Sequence, residues 1–184
     1  MIREENILMV GGNGRNIGKT YLAEMAIEKL SRNMEVVGLK ISNISPETIG
    51  FHGVHVAPVE QDFFIYEESD HQGTKDSMRF LKAGAKQSFF IQSDDEHLQE
   101  AFRQFMQMVK HGVALVCESN SLRQWVEPGV LLMVRGDEQA GNKNVETLLS
   151  MADAIVPARN HIDFERAIKS IKFSEGKFSF LKDN

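Results

Sequence analysis

The sequence predicts an α/β fold, a mostly parallel sheet with helices on both faces, and three observations carry that expectation. Ile7-Leu8-Met9-Val10 is an all-apolar run that passes directly into Gly11-Gly12-Asn13-Gly14, the pattern of a buried strand entering a tight loop. Leu22, Met25, Ala26 and Leu30 then recur at i, i+3, i+4 and i+8, the stripe of a helix packed on a sheet, with Asn33 as its stop. Glu35 to Ile41 (EVVGLKI) is a second strand-like run. Strand, glycine loop, helix, strand is one βαβ unit, whose strands lie parallel.

The alternation continues along the chain. Residues 42–75 are broken by Gly50, Gly53, Pro58 and the histidines His52, His55 and His71, with one strand-like piece, Asp62 to Glu67. Asp76 to Ala83 reads as a helix stopped by Gly84, and Ser88 to Gln92 as a strand. Ser93-Asp94-Asp95-Glu96 matches a capping box, after which Leu98, Phe102, Phe105 and Val109 keep helical spacing up to Gly112. Val113 to Cys117 (VALVC) is the clearest buried strand and ends at Glu118. Val130 to Val134, Val145 to Met151, Ala154 to Val156 and Ile162 to Ile171 continue the pattern. With no repeat, low-complexity tract or linker in sight, residues 1–184 are expected to form one domain.

Composition narrows the function. Twenty-one Lys and Arg stand against 26 Asp and Glu, a formal charge of −5, and no basic cluster supplies the concentrated positive charge that nucleic-acid binding needs. Cys117 is the lone cysteine, so no intramolecular disulfide forms, and Met1-Ile2-Arg3-Glu4-Glu5-Asn6 lacks the basic-then-apolar order of a signal peptide. No apolar run approaches the ~20 residues of a membrane span. A cytoplasmic protein that binds neither nucleic acid nor membrane is expected.

The chemistry concentrates in Gly12-Asn13-Gly14-Arg15-Asn16-Ile17-Gly18-Lys19-Thr20, between a predicted strand and a predicted helix. Glycines let backbone N–H groups turn inward, and the helix N-terminus adds a partial positive charge. Lys19 then reaches β and γ phosphates while the Thr20 hydroxyl ligates Mg²⁺. The expected architecture is therefore P-loop NTPase-like, binding GTP or ATP with Mg²⁺. The spacing departs from the usual pattern, because Asn13 stands five before Gly18 and the nearest glycine is one residue earlier. Glu118, at the end of an apolar strand, stands where such proteins place the acid that holds the Mg²⁺ shell or orients a water. Lys40, at the C-terminal end of a parallel strand, is placed to hold a phosphate or carboxylate. Histidines 52, 55 and 71 fit no zinc spacing, and Trp125, Phe89 and Phe90 read as core or interface.

The glycine loop, VVGLK ending in Lys40, the segment from Thr74 to Ala85 (TKDSMRFLKAGA) and VALVCE together resemble, in that order, the MobB family of molybdopterin-guanine dinucleotide biosynthesis accessory proteins. The resemblance covers Ile7 to Glu118. It implies a P-loop domain that binds GTP with Mg²⁺, a homodimer, and a cofactor-biosynthesis enzyme as partner. It also makes Asp76 a candidate for the Mg²⁺ shell or water network beside Glu118. Where that family has a histidine-rich run after the lysine, this chain has Ile41-Ser42-Asn43-Ile44-Ser45. The longer loop is more similar to dethiobiotin synthetase, which implies instead a small-molecule kinase or ATP-dependent ligase. A non-catalytic nucleotide-sensing scaffold is the third reading. Arg159-Asn160 falls where related proteins contact the base, and Arg15 is suited to reach a partner subunit's phosphates in trans. The expected catalytic set is thus Lys19, Glu118, Asp76 and Arg15, with Thr20, Asp76 and Glu118 at the metal.

Overall fold

A computed structural model describes residues 1–43, 54–55, 62–137, 143–158 and 160–181. In chain order the elements are β1 (Ile2–Gly12), α1 (Lys19–Ser31), β2 (Val36–Ser42), β3 (Val54–His55), β4 (Phe63–Glu67), α2 (Asp76–Lys82), β5 (Gln87–Ser93), α3 (Leu98–Met108), β6 (Ala114–Glu118), β7 (Val126–Arg135), α4 (Lys143–Met151), β8 (Ala154–Pro157), α5 (His161–Lys169), β9 (Ile171–Ser174) and β10 (Lys177–Phe180). A short 3-10 turn, Ser121–Gln124, links β6 to β7.

Eight strands form one sheet in the order β3-β4-β5-β2-β6-β1-β7-β8. From β5 to β8 every neighbouring pair is parallel, whereas β4 runs antiparallel to β5 and β3 to β4. The central runs of β1, β6 and β7, Ile7–Val10, Ala114–Cys117 and Val130–Val134, are apolar because both faces are covered. On one face Phe89, Phe102, Phe105, Leu122 and Leu149 pack beneath α3, α4 and the 3-10 turn. On the other, Leu22, Ala26, Phe80, Phe164 and Ile168 bring in α1, α2 and α5. The expected α/β class with helices on both faces is present. No helix among the described residues is long and apolar enough to cross a membrane.

Three local expectations need correction. β1 begins at Ile2, five residues before the apolar run, because the polar segment pairs with β7 from Ile2↔Val126 onward. The capping box does not form. Ser93 is a buried β5 residue paired with Phe63, so Asp94 accepts the His97 N–H at 2.9 Å and α3 starts only at Leu98. The last helix stops at Lys169, and the C-terminal tail turns back as the β9–β10 hairpin through Glu175 and Gly176, both at positive φ, the turn geometry that matches strand twist. Ile171 and Phe178 seal the sheet face beside α5.

Candidate functional site

Strand register builds the site. Val10 of β1 lies opposite Glu118 of β6, and Glu118 lies opposite Lys40 of β2, so three parallel strands deliver an acid and a base at one level of the C-terminal edge. The chain leaves β1 there and reaches α1 through residues 13–18. Gly18 holds φ +103° immediately before the helix, a left-handed conformation that glycine adopts without steric cost. Ile17 is buried between Gly12 and Gly136 and anchors the loop to the core.

Two asparagines hold the loop's base. Asn120 accepts from the Gly12 N–H at 2.9 Å and donates to the Gly12 carbonyl at 2.8 Å, in the manner of a neighbouring strand. Asn13 accepts from the Gly136 N–H at 2.6 Å and donates to its carbonyl at 3.1 Å. Gly12, Asn13 and Ile17 therefore shape the loop from behind, and none of the three lines the cavity in front of it.

In front, the Lys40 ammonium stands 2.6 Å from Glu118 Oε1 and 2.9 Å from Asp76 Oδ2. The Thr20 hydroxyl donates to the other Glu118 oxygen, Oε2, at 2.8 Å. Glu118 is almost wholly buried, with 3% of its side chain exposed, and a carboxylate so placed needs its cation and its donor. Burial would lower the Lys40 ammonium, but Glu118 and Asp76 outweigh it and raise its pKa. Burial likewise pushes Asp76 upward, yet Lys40 and Thr20 hold its carboxyl below the usual aspartate range. Lys19 donates from Nζ to the Gly14 carbonyl, and burial lowers its pKa despite Glu118 nearby.

A cavity of about 480 Å³ opens at this point, lined by the first turn of α1, Lys40, Asp76 and Glu118, with Arg15 and Asn16 on its exposed rim. Lys19, Thr20, Lys40, Asp76, Glu118 and Arg15 are thus brought to one cavity. Arg79 also lines it and was given no role by the sequence. It forms a two-point ion pair with Glu24 of α1, at 2.7 and 2.6 Å, and approaches Asp76 at 3.8 Å. The i, i+3 spacing from Asp76 on a predicted helix was the available signal. A second cavity, about 640 Å³, runs between α1, α2 and α5 and shares Tyr21 and Arg79 with the first.

Other candidates fall elsewhere. Asn160 caps α5, its side chain accepting from Ile162 and Asp163 N–H groups, while Arg159 lies outside the described residues. His71 is exposed, and His52 and the His55 side chain lie outside the described residues. Among the described residues no group of three or more His, Cys, Asp or Glu side chains comes together as a metal-ligand set. No protein-family model matches the chain, and searches of curated proteins and of solved structures find no significant match.

Proposed function

We propose that this chain is a P-loop NTPase that binds ATP or GTP with Mg²⁺ in the cavity between Gly14–Thr20 and Glu118. One observation carries the reading: a glycine loop opening helix α1, Lys19, Thr20 and a buried strand-end carboxylate converge on one cavity at the C-terminal edge of a parallel sheet, the position where such sheets bind ligands. The α1 N-terminus and Lys19 supply positive charge for the β and γ phosphates.

The donor set fits Mg²⁺. This ion keeps several waters and takes one or two protein oxygens plus phosphate oxygens, and the Thr20 hydroxyl with the Glu118 and Asp76 carboxylates offers such oxygens within one cluster. Mg²⁺ so held would neutralise charge on the β and γ oxygens. Thr20 would hold it directly, Glu118 would orient the attacking water, and Lys19 would steady the departing phosphate. An accessory role in assembling a molybdopterin-type cofactor, as a homodimer working with a biosynthetic enzyme, follows from the MobB resemblance. The kinase or ligase reading draws on the second cavity, which gives an acceptor room beside Arg79.

Thermal melts test the binding step. At ~100 times its Kd a ligand stabilises the fold by about 2.7 kcal/mol, so wild type melts higher with one of the two nucleotides plus Mg²⁺, and Lys19→Ala does not. No shift with either nucleotide, or equal shifts in both proteins, refutes the proposal.

A further inference from the structure

The position of Lys40 bears on how a metal ion enters. Two carboxylates from different elements, Glu118 on β6 and Asp76 on α2, converge on one point, and that point holds the Lys40 nitrogen, 2.6 Å from one and 2.9 Å from the other. Register brings the two side chains together, because Lys40 and Glu118 are cross-strand partners on β2 and β6. The Lys40 side chain is only 17% exposed and lines the cavity, so the direction left open to its ammonium is toward a ligand in that cavity. Arg79 is engaged by Glu24 and stands farther from Asp76. Among the described residues, Lys40 is therefore the cation in direct contact with both acids.

We infer that Lys40 is a built-in competitor for the metal: its ammonium holds the place between Glu118 and Asp76 and keeps a free divalent cation from binding until a phosphate-bearing ligand arrives with one. The inference rests on the nucleotide reading above and adds an order to it. A divalent ion and an ammonium cannot share a position between the same two oxygens, and the ion entering alone meets the unit charge of Lys40 as well as that of Lys19. An incoming polyphosphate reverses the balance. It brings negative charge that draws the Lys40 ammonium off the carboxylates and offers its own oxygens to the metal. Lys40 is in this scheme a positioning residue, acting on the site through the acids and the metal.

The test uses Mn²⁺ alone, with no nucleotide, followed by the free-ion electron paramagnetic resonance signal and by calorimetry. Lys40→Met is expected to bind one Mn²⁺ at least about a hundredfold more tightly than wild type, because a unit charge ~4 Å from a divalent ion at an effective dielectric near 20 by itself corresponds to more than about a thousandfold. Adding Glu118→Gln to Lys40→Met should abolish the gain. Because Lys40→Met leaves a buried carboxylate without its cation, Lys40→Gln serves as a second variant: its amide donates to the acids without carrying charge, and it should show the same gain. Wild-type Mn²⁺ affinity in whichever of these variants is folded, or a gain that survives Glu118→Gln, overturns the inference. Nucleotide melts of wild type report separately on the nucleotide reading, so loss of that reading and loss of this one are distinguishable.

Discussion

Gly18→Ala probes the loop geometry on which the site depends. Gly18 sits at φ +103° and ψ 12°, where an L side chain costs about 1–2 kcal/mol. A Cβ built there meets the Phe164 ring at 2.9 and 3.0 Å. That ring is 2% exposed, in the core beneath α5, and overpacking of a fixed neighbour costs about 1–3 kcal/mol. The substitution is therefore expected to destabilise by about 2–5 kcal/mol, read from urea unfolding. Phe164→Leu alone should cost about 1 kcal/mol. The double variant should be more stable than the sum predicts by about 1–3 kcal/mol, because the shortened side chain removes the clash and leaves only the backbone strain. Nucleotide-dependent stabilisation should be lost in Gly18→Ala and kept in Phe164→Leu. A neutral Gly18→Ala would refute the left-handed turn, and strict additivity would refute the contact with Phe164.

Glu118→Gln keeps the hydrogen bond from Thr20 but not the charge, so nucleotide affinity should stay within a few-fold while turnover falls by about 10²-fold or more; unchanged hydrolysis would leave Glu118 a structural partner of Lys40. The Asp76 carboxyl is held below its ordinary range by Lys40 and Thr20 against the opposing effect of burial, so the stability it contributes is complete above that range and is lost as pH falls through the folded value. Urea midpoints of wild type and Asp76→Asn should accordingly converge on acidification, and parallel profiles would refute the assignment. For Arg15, mixing Arg15→Ala with Lys19→Ala subunits should restore hydrolysis if the guanidinium acts across a dimer, whereas full activity of Arg15→Ala alone would exclude it.

Legibility in the sequence followed the physics of each segment. The strands carrying Val10, Lys40 and Glu118 are buried on both faces, so their apolar runs stood out, and their order with α1 gave the βαβ unit directly. Lys40 was placed on the right strand, two residues before its end at Ser42, but its pairing was not read, because cross-strand register is set by the whole sheet and no local spacing records it. Ser93 shows the opposite failure. Its capping pattern was locally sound, and tertiary pairing with Phe63 overrode it. The first residues of β1 were missed because Arg3 to Asn6 are polar, and the β9–β10 hairpin because its alternation of Ile171, Phe173, Phe178 and Phe180 with polar residues lasts only four residues on each strand.

The irregular spacing of the glycine loop has a structural account. A Cβ at Gly12 would meet the Val134 carbonyl at 2.8 Å and Ile17 at 2.7 Å, so glycine is needed where the strand ends. The next residue has a different task. Asn13 must reach Gly136 with both a donor and an acceptor, which a glycine in that position cannot do. Asn120 does the same for Gly12 from the other neighbouring strand. The loop is thus held at its root by two side-chain amides from opposite sides, one reaching out to the β7 exit and one reaching in from the β6 exit. Because β6 also ends in Glu118, the same strand end that fixes the loop fixes the acid facing it. The β6 end thus places Glu118, which accepts from the Thr20 hydroxyl at 2.8 Å, beside the loop that Asn120 holds.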